Sequence, residues 1–390
     1  MKEGWKMVKL GEVATFVNGY AFKPSDWCEY GKPIIRIQNL TESQSHFNYY
    51  NKNDIPTKYH VKKGDILISW SATLGVYEWS MDDAWLNQHI FKVVFDKITI
   101  DKTYFKYSIE YFIDELSKKT NGATMKHIRK GDFDNTEIPL PPLEEQHRIV
   151  SILDATFEKI DKLKANAEEN LKNAKALFQQ VLAQELKPKE GWVEKKLGEV
   201  VESITDGDHQ PPPKSNKGIP FITISSINKE QRSVEWNNTF FVPKEYFDGL
   251  KEDRKPKRGD ILYTVTGSYG IPVLIDFDID FCFQRHIAII RPNQETAYSE
   301  FVNYWLLSKY AMLQAEDTAT GAAQKTVSLK SLRNFSFDYP LETSEQHRIV
   351  QTLDTLSEKC RRLETIAQQT IRECDALKQS ILRQAFSGEL

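Results

Sequence analysis

The chain has 390 residues, 40% of them hydrophobic and 27% charged, with a formal net charge of −3. That composition suits two or three ordinary folded domains and excludes a disordered or fibrous polymer. No run approaches the roughly 20 apolar residues of a membrane helix and no apolar signal core opens the chain, so a cytoplasmic location is expected. Cys28, Cys282, Cys360 and Cys374 are scattered without metal-ligand spacing, which argues against zinc or a disulfide framework. The near-neutral charge exerts no general pull on nucleic acid, so a DNA contact must rest on local features.

In chain order, Gly4-Trp5 and Leu10-Gly-Glu-Val13 open a region of short apolar runs bounded by turn signals, among them Pro33-Ile-Ile-Arg-Ile37 and Gly64-Asp-Ile-Leu67. Gly122-Ala123 with Lys126 follows, and Pro141-Pro142 then introduces a proline-free stretch of Ala, Leu, Lys, Glu and Gln that predicts a long helix. The whole series then returns. Gly191-Trp192, Leu197-Gly-Glu-Val200, Pro220-Phe-Ile-Thr-Ile224, Gly259-Asp-Ile-Leu262 and Gly321-Ala322 with Lys325 come in the same order, and Glu145-Gln-His-Arg-Ile-Val150 recurs identically as Glu345-Gln-His-Arg-Ile-Val350. A collinear set of this kind is an internal duplication. The expected fold is α+β, with two similar strand-rich α/β domains at 1–142 and 188–342. Two long antiparallel coiled-coil helices at 143–187 and 343–390 join them in a pseudo-twofold repeat.

The helical seam can be counted. From Ile149 a 4-3 spacing to Val181 meets eight apolar residues in ten, and the same frame from Ile349 to Ile381 meets nine, with Asn170 and Thr370 as the matched polar positions. Each helix would be roughly 60–70 Å long. Such helices alone read as an oligomerisation stalk. Two matched helices in one chain can instead satisfy each other and act as a spacer between two reading heads, which suits a bipartite DNA target.

Catalytic motifs are missing from the sequence. It has no phosphate loop, dinucleotide fingerprint, H-E-x-x-H or nucleophile elbow, and its Pro-Pro runs, Leu140-Pro-Pro-Leu143 and Gln210-Pro-Pro-Pro213, do not fit the tetrapeptide of adenine methyltransferases. A non-catalytic chain without metal or cofactor of its own is expected.

Candidate DNA contacts come from equivalent places in the two copies. Basic clusters precede each Gly-Asp-Ile-Leu, from which Lys62, Lys63, Lys257 and Arg258 are chosen as phosphate contacts. Hydroxyl-rich, glycine-ended loops follow it and supply Ser69, Ser71 and Thr73 in one copy and Thr266, Ser268 and Tyr269 in the other. Gln88-His89 corresponds to Gln284-Arg285-His286, where glutamine can read adenine and arginine guanine. Lys126 and Lys325, with Lys130 and Lys330 close by, complete the set, and the loops Asn18-Gly-Tyr-Ala-Phe22 and Asp206-Gly-Asp-His209 are similarly placed but chemically different. The alternative for each is a solvated turn or a satisfied core residue. Residues 1–142 carry 19 basic and 18 acidic residues and residues 188–342 carry 19 and 22, so the chain should need a partner to grip the duplex.

The order of these motifs, from Trp5 to Arg383-Gln-Ala-Phe-Ser-Gly-Glu-Leu390, resembles the specificity subunits of type I restriction-modification systems across the full chain. The resemblance implies two target recognition domains, each reading half of a bipartite duplex sequence, with the helices fixing the spacing. It also implies two partner adenine methyltransferase subunits that use S-adenosylmethionine, and restriction/translocase subunits that use ATP and Mg2+. The Glu-Gln-His-Arg-Ile-Val segments would serve packing and docking rather than DNA. A specificity subunit of a related type II system, or a duplicated scaffold that binds protein and not DNA, are the alternatives.

Overall fold

The computed structural model describes residues 2–41, 46–52, 54–119, 128–207, 209, 211–322 and 324–390. The chain divides into two compact units, Met1–Glu168 with Gln369–Leu390, and Glu169–Gln368. Each unit is built from the same parts.

In the first unit a four-stranded antiparallel sheet runs in the order Thr15–Asn18, Ile90–Val94, Ile66–Ser69, Gly75–Glu78. The second unit repeats it as Val201–Asp206, Ile287–Pro292, Ile261–Thr264, Pro272–Leu274. The strands Ile66–Ser69 and Ile261–Thr264 are buried at every residue. Alternate side chains therefore serve two cores. Ile66 and Ile68 face Phe105, Phe133 and the helical residues Ile149 and Leu153, while Leu67 faces Ile35, Trp79 and Leu86 beneath a second small sheet. Ile261 and Tyr263 against Leu262 repeat the division. At 2% exposure or less, Ile66, Leu67 and Ile68 each contribute about 1.5–3 kcal/mol.

The repeated motifs prove to be structural joints. Leu10-Gly-Glu-Val13 and Leu197-Gly-Glu-Val200 are single helical turns in which the Glu12 and Glu199 carboxylates accept the backbone N–H of Lys9 and Lys196, at 3.2 and 3.1 Å. The Gly-Asp of Gly-Asp-Ile-Leu closes a tight turn. Asp65 and Asp260 accept the N–H of Lys62 and Lys257 on their side chains, both at 2.8 Å, and Gly64 and Gly259 take φ of +85° and +90°, where a side chain would be strained.

The long helices span Leu143–Glu185 and Thr343–Ser387. Both contribute to each unit. In the first unit they run antiparallel, with Lys164 on Asp375 at 2.6 Å and Lys378 on Asp161 at 2.5 Å; in the second Arg348 meets Glu185 at 3.0 Å. The seam differs from the 4-3 expectation. Ile160, Ala167, Ala174, Cys360, Ala367 and Cys374 are buried, but Leu163, Leu177, Leu363 and Leu377, at the alternate position of two heptads in each helix, are 44–52% exposed. Two helices close only one apolar position per heptad here, and Phe157 and Phe178, outside the counted frame, are buried instead.

Each strand-rich domain is fastened to its helix by the same side chains. The buried Gln146 amide donates to the Pro141 carbonyl at 2.8 Å and accepts the Asp101 N–H at 2.9 Å. Gln346 donates to Pro340 at 2.9 Å and Thr296 at 3.0 Å and accepts the Tyr298 N–H at 2.8 Å. Two turns on, the Tyr107 hydroxyl donates to Asp154 and the Tyr304 hydroxyl to Asp354, both at 2.6 Å. Arg148 grips Glu145 through two hydrogen bonds and Arg348 grips Glu345 likewise. The Arg148 guanidinium holds the Glu145 carboxyl down to about 2, against the penalty of burial and with help from Lys2.

Candidate nucleic-acid interface

In each copy four segments meet at one end of the main sheet: the loop after the first sheet strand, the loop after the Gly-Asp-Ile-Leu strand, the turn before the next long strand, and the segment leading into a short helix. Three backbone hydrogen bonds fix the equivalence. Asn87 N–H donates to Ile35 as Gln284 does to Ile222, Trp70 to His89 as Val265 to His286, and Ile128 to Trp70 as Val327 to Val265. This pairing keeps His89 opposite His286 as expected and moves the glutamine match by one residue. Asn87 stands opposite Gln284, Gln88 opposite Arg285, and His89 opposite His286.

Glycine makes the close approach possible in both copies. A Cβ on Gly19 would lie 1.9 Å from the Asn87 carbonyl oxygen, and one on Gly207 the same distance from that of Phe283. Among the described residues, the first-copy end is aromatic. The Trp70 indole N–H donates to Asn18 at 3.2 Å, and its ring lies 5.0 Å from that of His89. His89 holds φ of +73°, a costly conformation for a residue with a side chain. Both His89 Nδ1 and Asn87 Oδ1 are buried without a hydrogen-bond partner.

The second-copy end is charged and concave. A cleft of about 420 Å³ is lined by Asp206, His209, Thr266, Arg285, His286, Gln324 and Thr326, among others. Asp206 accepts from His209 at 3.0 Å and pairs with Arg254 at 3.6 Å. His286 lies below its ordinary pKa because burial and the neighbouring Arg285 charge both disfavour a second positive charge. At neutral pH it therefore offers one donor and one acceptor rather than two donors.

Several candidates converge here: Gln88 and His89 in one copy, and Thr266, Arg285 and His286 in the other, with Gln284 at the neighbouring corner. Lys325 is exposed on the same rim, its carbonyl accepting the Gly267 N–H at 2.9 Å. Lys130 and Lys330 lie just beyond, in the short helices Lys130–Asp134 and Leu329–Arg333, and Lys130 is paired with Asp134 at 2.8 Å. Lys126 lies outside the described residues.

Other candidates are displaced. Lys62, Lys63, Lys257 and Arg258 sit at the start of the strands Ile66–Ser69 and Ile261–Thr264, whose four residues, about 13 Å long, separate them from the converging loops. Lys257 and Arg258 are also paired, with Glu252 at 3.7 Å and Asp278 at 3.0 Å. Ser69 faces inward. It is fully buried and its hydroxyl donates to the Thr73 carbonyl at 2.5 Å, as Thr264 does to Ser268 at 2.7 Å, so both close their turns. Ser71 is buried as well. Thr73 is exposed but borders a separate hollow of about 730 Å³ beside Lys106 and Glu110, Ser268 receives Lys229, and Tyr269 packs on the core.

The candidate set omits Asp206, His209, Arg254, Gln324 and Thr326. The different chemistry of the loops Asn18–Phe22 and Asp206–His209 was the available signal for the first two; nothing in the sequence joins Arg254 or Gln324 to them. Among the described residues no cluster of His, Cys, Asp and Glu is arranged to hold a metal, and no helix is long and apolar enough to cross a membrane.

Residues 2–173 and again 189–373 match the family described as the type I restriction modification DNA specificity domain. The type I restriction enzyme EcoBI specificity subunit of Escherichia coli is 27% identical, over all of this chain and 86% of its own. The EcoKI specificity subunit of Escherichia coli strain K12 is 25% identical over all of this chain and 90% of its own. Among solved structures, a chain from work on complex assembly and conformational transition of the type I R-M system aligns with a TM-score of 0.74 and 21% identity, covering all of this chain and 99% of that one. The HsdS subunit from Thermoanaerobacter tengcongensis aligns at 0.53 and 21%, over all of this chain and 98% of that one. At such identities the structural likeness speaks for the fold.

Proposed function

The chain belongs to the type I restriction modification DNA specificity domain family, which it carries twice and serves as a specificity subunit, and we propose that each copy reads one half of a bipartite duplex target through the loops gathered at its sheet end. The two long helices set the spacing between the half-sites. The observation that carries this reading is the duplication itself: one scaffold made twice, with the same joints and different loop chemistry.

On this proposal the chain selects the site and performs no chemistry. Two adenine methyltransferase subunits would bring S-adenosylmethionine, and restriction/translocase subunits would bring ATP and Mg2+. The exposed Leu163, Leu177, Leu363 and Leu377 support docking of helical partners, since apolar residues left out of a heptad seam are stabilised by further helices. The near balance of basic and acidic residues in the two strand-rich domains, 19 against 18 and 19 against 22, supports the same dependence, because the grip on phosphates must then come largely from the assembly. Its target being genomic or incoming duplex DNA, the assembly would work in the cytoplasm.

The test is to add one helical turn to both long helices and map the methylated motif. We expect unchanged half-sites with a spacing longer by about one to two base pairs, since a turn adds about 5.4 Å and a base pair about 3.4 Å. Unchanged spacing would contradict the spacer role, and an assembly that binds no duplex DNA would favour the protein scaffold.

A further inference from the structure

We propose that Gln88 and Arg285 are the homologous specificity-determining residues of the two copies, reading an adenine and a guanine respectively at the same relative place in the two half-sites. This rests on the specificity reading above and deepens it.

The first observation is register. Both residues occupy the first corner of the same two-residue turn, between Asn87 and His89 in one copy and between Gln284 and His286 in the other, fixed by the matched bonds of Asn87 to Ile35 and of Gln284 to Ile222. The flanking strands agree, since Ile35 pairs in parallel with Leu86 as Ile222 does with Phe283. The two side chains therefore leave equivalent backbone positions on equivalent scaffolds.

The second is availability. Arg285 is exposed on the rim of the second-copy cleft and no hydrogen bond or ion pair engages its guanidinium among the described residues. The cleft-wall carboxylate Asp206 is occupied by His209 and Arg254. Gln88 is half-buried, its amide likewise unengaged among the described residues, and its sequence neighbours Asn87 and His89 carry a buried unpartnered Oδ1 and Nδ1. Its backbone is tied at both sides, through its own N–H on Tyr20 and the His89 carbonyl on Trp70, so the amide extends from a fixed point.

The third is chemistry. A guanidinium presents two parallel donors that match the O6 and N7 acceptors of guanine, while a carboxamide presents one donor and one acceptor that match N7 and the N6 amine of adenine. His286, held below its ordinary pKa by burial and by Arg285, adds no second positive charge directly beside that donor pair. A good bidentate contact discriminates by about 1–3 kcal/mol, or roughly 5- to 150-fold between bases.

The experiment is selection from a pool of DNA duplexes randomised at both half-sites, using the tagged full-length chain recovered in its native assembly. Wild type should select a bipartite motif. Arg285→Gln should change one base pair of one half-site from G·C towards A·T, with the other half-site and the spacing unchanged, and Gln88→Arg should produce the reciprocal change in the other half. Arg285→Ala should relax that one position by roughly 5- to 150-fold and keep the rest. Identical motifs from wild type and all three variants would overturn this inference while leaving the specificity reading intact. A wild type that selects no bipartite motif would overturn the reading itself. Both positions lie at a turn corner outside the cores, and circular dichroism of each variant checks that a lost motif is not lost folding.

Discussion

The joints between the recognition domains and the long helices carry the same chemistry in both copies, whereas the turns at the sheet ends differ in nearly every side chain. Gln146 and Gln346, Tyr107 with Asp154 and Tyr304 with Asp354, and the Arg–Glu grips agree to within about a tenth of an ångström in their shared hydrogen bonds. At the sheet ends, Asn18 and Trp70 of one copy correspond in position to Asp206 and Val265 of the other, on closely similar backbone hydrogen bonding. The contrast teaches where a duplicated chain can change. A buried amide that satisfies two backbone groups has no substitute of equal shape and polarity, while a turn held by its backbone accepts any side chain that points to solvent.

If that division is right, substitutions at the joints should cost stability in both copies alike and leave the recognised sequence alone. Gln146→Leu and Gln346→Leu should have the largest effect, about 2–4 kcal/mol in chemical denaturation, because each strands buried backbone donors and acceptors. Tyr107→Phe and Tyr304→Phe should follow at about 1–3 kcal/mol each, since each hydroxyl serves a carboxylate. Unequal losses between the copies would break the equivalence. Ser69→Ala should cost about 1 kcal/mol without altering the target sequence, which separates a turn-closing hydroxyl from a reading one.

The Glu145–Arg148 grip adds a pH signature. The folded carboxyl lies at about 2 against an ordinary value of 4.5, chiefly because Arg148 hydrogen-bonds its charged form. A depressed carboxylate stabilises the fold fully above pH 4.5 and loses that contribution as pH falls toward about 2. Acid unfolding followed by circular dichroism should show a shallower fall across that window in Glu145→Gln than in the natural chain. The smallest effect is expected at the far strand ends: Lys257→Ala with Arg258→Ala should leave the selected motif unchanged, because their charges are paired away from the converging loops.

The duplication, the strand-rich domains and the two helices were legible because each has a periodic or repeated signature, and Pro141-Pro142 marks the first helix start, at Leu143, closely. The seam was legible only in part. A heptad count cannot tell a pair of helices from a larger bundle, so it placed Leu163 and Leu377 inside when the pair leaves them out. The site suffered from a related ambiguity. Proximity in sequence to Gly-Asp-Ile-Leu set Lys62 and Ser69 side by side as candidates, yet one lies at the strand's start and the other is turned into its core. The approach of Arg254 to Asp206 crosses 48 positions of sequence and is a tertiary fact with no local signal.

The most direct measurement is long-read mapping of adenine methylation in cells with and without this chain. If each copy reads one half-site, deletion removes one bipartite methylated motif and complementation restores it. If methylation at every motif persists when the chain is absent from an active methyltransferase system, the chain does not select the target.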